Sequence, residues 1–184
     1  MPVDKTEGLK YLTRSEAAKL FARLRKDDYE LYCLLYLSYI HGLRASEVLD
    51  LKFSDYDIKE GRVFIRRKKG SVSNSVKISD QEMLIFRTLR SRRTGSKLFN
   101  LHRSTVDRKI KRAFRKYRLP SGKAHHHTFR HTLAVHLLQQ KVDIYTIKEI
   151  LGHRDIRNTM IYAKLTGYHL DEIQNRIGGF IEYE

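Results

Sequence analysis

The residues of this chain that could do chemistry fall in five short stretches. Arg44 lies in Gly42-Leu-Arg-Ala-Ser-Glu47, three residues before a glutamate. On a helix that spacing puts both side chains on one face, an arginine with its carboxylate counter-ion. Alone it reads as a surface ion pair of small consequence. Arg66-Arg67-Lys68-Lys69 runs into Gly70. At a hairpin tip such an ammonium reaches into a groove, or it is a phosphate-contacting or solvated charge. His127-Thr-Phe-Arg130-His131 sets an imidazole that titrates near neutrality beside a permanent guanidinium. His127 and Arg130 project together from a helix start. In Leu151-Gly-His153, glycine ends one helix and the histidine stands at the break before the next. Tyr162 follows nine residues later, one of 11 tyrosines, and singly would be a packing residue.

Together these residues describe phosphoryl transfer without a metal. Two guanidinium groups clamp the non-bridging oxygens where charge accumulates. A tyrosine supplies a phenolic nucleophile, a histidine takes its proton, and a lysine protonates the leaving oxygen. A zinc site among His125, His126, His127 and His131 is the competing reading. No carboxylate or cysteine completes a ligand set at the usual spacing, and Arg130 would repel a cation. Neither a metal nor another cofactor is expected.

The charge points to a polyanion. The 184 residues carry +16, and all of that excess lies in residues 62–118, with 19 basic and three acidic side chains. The rest of the chain has 18 charges of each sign. So one-sided a field favours nucleic acid over a merely solvated face. There is no apolar run near 18 residues, and Met1-Pro-Val-Asp-Lys lacks the pattern of a secretory leader. Cys33 is the only cysteine, which excludes an intrachain disulfide and points to a reducing compartment. A cytoplasmic, nucleoid-associated protein with no membrane partner is expected.

The elements that must position these residues are mostly helical. Thr13 and Glu16 form a capping box for a helix to about Lys26, with Leu20, Phe21 and Leu24 as its buried stripe. Residues 29–40 are apolar almost all round, as in a central helix, ended by Gly42. A short helix follows over residues 46–51. Strands are expected around Val63 and Ile65 and over residues 76–78, joined by a turn from Gly70. Asp80 is expected to cap a helix to about Arg92, and Ser104 to cap another. The latter buries Val106, Ile110, Phe114 and Tyr117 and opposes them with Arg108, Lys109, Arg112, Arg115 and Lys116. Further helices fit residues 128–140, 143–151, 155–163 and 168–177. The fold class expected is mostly α with one small antiparallel β-sheet.

As a set, His41-Gly-Leu-Arg44-Ala-Ser-Glu47, His127-Thr-Phe-Arg130-His131-Thr132 and Leu151-Gly-His153 with Tyr162 resemble the catalytic domain of the tyrosine recombinases, also called the lambda-integrase family. The resemblance covers about residues 12–162. Arg66 to Gly70 and Ile150 to Tyr162 are especially similar to the small fimbrial phase-variation invertases. The resemblance implies that Arg44 and Arg130 bind the scissile phosphate and His153 hydrogen-bonds it. It makes His127 the acid–base partner, Tyr162 the nucleophile that becomes 3′-phosphotyrosyl, and Glu47 the residue that orients Arg44. The family usually has one lysine before the hairpin glycine; here Lys68 and Lys69 are adjacent, and Lys69, next to Gly70, is taken as general acid for the 5′-oxygen. Double-stranded DNA is the implied partner, contacted also by Arg66, Arg67, Lys68 and the basic helix face. A homotetramer on paired sites, monomeric when free, is implied.

Most members carry an N-terminal core-binding domain, whereas about 12 residues precede the first helix here. Residues 1–184 are therefore expected to form one catalytic domain, either an excised piece or a short enzyme. The acidic tail over residues 167–184 docks on a neighbouring protomer by family analogy, or else packs on its own domain. Integration, inversion and resolution all fit, and a type IB topoisomerase or a non-catalytic DNA-binding module are the alternatives.

Overall fold

The computed structural model describes residues 9–68 and 70–163. Lys69, the 168–177 helix, the acidic tail and most of the lead-in lie outside the described residues.

Helix α1 (Arg14–Asp27) starts as its capping box requires. Thr13 Oγ1 accepts from the Glu16 amide and Glu16 Oε2 accepts from the Thr13 amide. Helix α2 (Tyr29–Ile40) is apolar on every side because it packs against several neighbours: α1, α3 (Ala45–Asp50), α5 (Arg103–Lys116) and α6 (His127–Gln139). Leu31, Leu34, Leu35 and Leu37 are all fully buried there. Phe21 of α1 meets Tyr32, Tyr36 and Tyr39 of α2 and Phe129 of α6 at ring-centroid separations of 5.8–6.2 Å. Such aromatic contacts join the two sides of the core.

The sheet has three antiparallel strands, β1 (Tyr56–Asp57), β2 (Arg62–Ile65) and β3 (Asn74–Lys77), in that order. Val63 pairs with Tyr56 on one side and Val76 on the other. Val63 and Ile65 face the core while Phe64 between them is exposed, the period of two of a half-buried strand. The expected fold class is thus borne out. Strand β1 has only two residues, too short to leave a pattern in the sequence, and β3 starts two residues before the expected position.

Helix α4 (Asp80–Arg92) covers the sheet through Phe86, which packs on Phe53 and Tyr56. Ser79, not Asp80, caps α4, and His102, not Ser104, caps α5. In both cases the cap is a side chain placed to accept from a first-turn amide. A second apolar cluster joins Leu133, Ala134 and Leu138 of α6 to Ile147 and Leu151 of α7 (Ile144–Leu151) and Tyr162 of α8 (Arg157–Ala163). No helix among the described residues is long and apolar enough to cross a membrane.

Candidate active site

The site is assembled where α2, the β2–β3 loop, α6 and α7 end against one another. After α2 the chain turns at Gly42 with φ +58°, and a Cβ there would lie 2.7 Å from a Leu151 methyl. Only glycine permits both the backbone and the approach. Arg44 then stands at the entry to α3. Glu47, with no exposed side-chain surface, accepts from the Arg44 amide at 2.9 Å and from Arg44 Nη1 at 2.7 Å. Arg44 Nη1 also donates to Ser71 Oγ at 3.0 Å, which ties it to the hairpin loop. Glu47 therefore holds both the backbone amide and the guanidinium of Arg44.

Glu47 serves a second arginine. Arg67 Nη1 donates to its Oε2 at 3.1 Å, and the Lys68 amide donates to its Oε1 at 3.2 Å. Burial raises the Glu47 carboxyl pKa, but bonds from Arg44 and the charge of Arg67 outweigh it, so the net value is lowered. The sequence places Arg67 on the DNA-facing surface, and here the structure corrects the sequence reading. Its side chain is 1% exposed, and it donates to the carbonyls of His41 (2.8 Å), Ile150 (2.7 Å) and Gly42 (3.3 Å). It fastens the loop that carries Lys68 and Lys69 to the ends of α2 and α7. Sequence gives four basic residues in a row; which one turns inward is set by carbonyls of two distant helix ends.

The loop is clasped from the other side by Gly152, the left-handed cap of α7 at φ +66°. Its carbonyl accepts from the Val72 amide at 3.0 Å, and Ser71 bridges to His153. A Cβ at Gly152 would lie 2.7 Å from the Val72 carbonyl oxygen. His153 is thereby presented beside the hairpin, its Nδ1 2.9 Å from Thr159 Oγ1.

Arg130 rises from the first turn of α6 and is 1% exposed. It donates to the Leu151 carbonyl at 2.7 Å and to the Gly42 carbonyl, so the two helix ends that hold Arg67 also hold Arg130. Burial, then Arg44 and Arg67, lowers its pKa to about 10. His153 falls to about 3 through burial and the charges of Arg130, Arg44 and Arg67. His127 is lowered by burial, Arg130 and Arg44. These effects place Arg44, Arg67, Arg130, His127 and His153 in one cationic field, the setting that favours an anion.

Tyr162 is 1% exposed, and burial pushes its phenol up to about 12 while Arg130 and Arg44 pull it down. Its hydroxyl oxygen lies 2.9 Å from Nδ1 of His131. The His131 ring stands edge-on to His127 at 4.4 Å. His131 is the residue that sequence reasoning misses, since its spacing suggests only a metal ligand. Its partner lies 31 residues on, in another helix, a distance no local spacing reveals. Among the described residues, no group of three or more His, Cys, Asp or Glu side chains is placed to hold a metal ion.

The remaining basic residues divide. Arg66 and Lys68 are exposed and paired with Asp55 and Asp50. On α5, Arg108, Arg112 and Arg115 are exposed. Lys109 and Lys116 instead turn towards α1 and α2, where Asp28 and Asp27 hold them at 2.9 and 2.6 Å. This flank of the helix thus has its own acidic partners, although Lys116 stays exposed. Arg103 and Lys111 of α5 line a cleft of about 340 Å³ with Arg44, His125 and His127.

A mostly helical fold with a three-stranded sheet thus gathers three arginines, Arg44, Arg67 and Arg130, with His127 and His153 in one anion-favouring field that reaches Tyr162. The chain belongs to the phage integrase family, whose model matches residues 10–169. It is 31% identical over 185 residues to the tyrosine recombinase XerA of Pyrococcus furiosus, covering 92% of this chain and 65% of the relative. It is 34% identical over 144 residues to the type 1 fimbriae regulatory protein FimE of Escherichia coli, covering 72% of this chain and 73% of that protein. The catalytic domain of bacteriophage HP1 integrase superposes with a TM-score of 0.69 at 26% identity, over 91% of this chain and 94% of that one. The chain thus spans less than two thirds of the length of the XerA relative.

Proposed function

We propose that this chain is the catalytic domain of a site-specific DNA recombinase that cuts and rejoins strands through a 3′-phosphotyrosyl intermediate. The observation that carries the reading is geometric: Arg44 and His153 both meet Ser71 of the hairpin loop, Arg130 holds the Gly42 and Leu151 carbonyls beside them, and the Tyr162 hydroxyl meets His131 of the same helix as Arg130. In this reading the guanidinium groups of Arg44 and Arg130 neutralise the non-bridging oxygens of the scissile phosphate. His153 donates to the phosphate, and a histidine from the first turns of α6 serves as acid–base partner. The Tyr162 oxygen attacks phosphorus, the bond from phosphorus to the 5′-oxygen breaks, and Lys69 gives that oxygen its proton. A phosphodiester is exchanged for a phosphotyrosine of similar free energy, so a free 5′-hydroxyl from another strand reverses the attack and joins it.

The substrate is duplex DNA, and the assembly a homotetramer on paired sites formed from monomers. That substrate puts the protein with the DNA of the cytoplasm, at the nucleoid. The described residues act as one catalytic domain.

The test is trapping of a denaturant-stable adduct on nicked duplexes with a randomised core, in EDTA. The wild type should form adduct, since arginines supply the neutralising charge. Tyr162→Phe should form none while binding duplex as the wild type does. Adduct on Tyr162→Phe would sink the site assignment; adduct only with added zinc would return the histidine cluster to a ligand role.

A further inference from the structure

We infer that His131, rather than His127, is the group that takes the phenolic proton from Tyr162 as it attacks. The inference rests on the reading of Tyr162 as the nucleophile. Among the described residues, the hydrogen bond made by the Tyr162 hydroxyl is to His131 Nδ1, at 2.9 Å. Helices α6 and α8 pack directly on each other, so this pair is fixed by the fold rather than by two mobile side chains. Tyr162 is shielded from bulk water, which removes solvent as the acceptor.

The electrostatics agree with the geometry. The titratable and charged groups facing His131 are His127 and Arg130 from its own helix and Tyr162 from α8. Burial, then His127 and Arg130, lowers the imidazole to about 4, so it is neutral in the free protein. With its N–H on Nε2, the Nδ1 lone pair is open to accept from the phenol. When a phosphate enters between the arginines, its negative charge offsets the charges that depress His131. The base therefore gains strength at the moment the attack needs it. As the Tyr162 oxygen bonds to phosphorus, its proton moves to His131 Nδ1. The bond to the 5′-oxygen breaks, and the hairpin lysine protonates that oxygen. Religation returns both protons. His127, which lines the cleft beside Arg44, is then left to contact the phosphate.

Two measurements decide this. Nitrogen NMR of the free protein with 15N-labelled histidine should show His131 as the Nε2–H tautomer, with Nδ1 in a hydrogen bond that Tyr162→Phe removes. An Nδ1–H tautomer overturns the proposal without any DNA. On nicked duplexes recovered from the randomised pool as wild-type adducts, His131→Asn should slow adduct formation by about 10²–10⁴-fold at neutral pH. Its rate should then climb about tenfold per pH unit as hydroxide replaces the lost base. His131→Gln is the second variant should Asn disturb the fold. A wild-type pH profile in either folded variant, or the climbing profile in His127→Asn instead, overturns the assignment. Adduct on Tyr162→Phe would be a different failure, that of the nucleophile itself.

Discussion

Arg44 and Glu47 sit on one helix turn, so their pairing could be read from a spacing of three, and the structure forms it. The lysine pair is a finer matter. Lys68 is tied to Asp50 on the exposed side of the loop, and its amide is held by buried Glu47. The assignment of the next residue, Lys69, as the leaving-group acid rests on its place immediately before Gly70 and is open to direct test. Lys69→Ala should slow cleavage of ordinary DNA far more than Lys68→Ala. On a substrate whose leaving 5′-oxygen is replaced by sulfur, Lys69→Ala should largely recover, because a thiolate leaves without protonation. Arg44→Ala and Arg130→Ala should not recover, since they act on the non-bridging oxygens. Recovery of Lys68→Ala instead would shift the hairpin register by one.

At the level of elements, Arg67 is the joint between the hairpin loop and two helix ends. Arg67→Met removes a buried cation that Glu47 and three carbonyls require. We expect a loss of about 3–5 kcal/mol in urea unfolding, the cost of breaking a buried pair from one side. Arg66→Met, on an exposed pair, should lose about 1 kcal/mol or less in the same assay. Equal losses would mean that the Arg67 bonds contribute no more than a surface pair. Helix α5 makes a second, separable prediction. Neutralising Arg108, Arg112 and Arg115 should flatten the salt dependence of duplex binding by about 0.9 in slope for each phosphate no longer neutralised. Neutralising Lys109 and Lys116 should leave that slope nearly unchanged, because their partners are Asp28 and Asp27. If the two sets behave alike, the flank assignment on α5 fails.

Across the whole molecule, the cationic cluster makes the free protein sensitive to acid. His126, His131 and His153 are held near 4, 4 and 3, chiefly by burial. Above about pH 6.5 these histidines are neutral in both the folded and the unfolded chain, and their contribution to stability is fully present. As pH falls below that value the unfolded chain takes up protons that the fold refuses, so stability declines towards the folded values near 4. The melting temperature should therefore drop between pH 6.5 and 5, before carboxylates such as Glu47 titrate. Added duplex DNA should lessen that drop, since phosphate oxygens favour the protonated imidazoles. A flat melting temperature across this window would mean that the histidines are not held neutral.

The sequence by itself determined the local parts. The Thr13–Glu16 capping box, the all-apolar α2, and Gly42 and Gly152 at helix ends follow from the physics of short stretches, and each lies where expected. So do the two-residue alternation of Val63 and Ile65 and the buried stripe of α5. The family could be recognised from three motifs because they are local strings in a fixed order. What only the tertiary structure decided is which side chain meets which across long separations. Arg67 reaches Ile150 across 83 residues, and Lys109 reaches Asp28 across 81. A run of basic residues carries no local signal of which member will turn inward, because the carbonyls and carboxylates that choose it belong to other elements. His131 is the same case. Its spacing to His127 is visible in the sequence, but its meeting with the Tyr162 hydroxyl depends on α8 folding back onto α6.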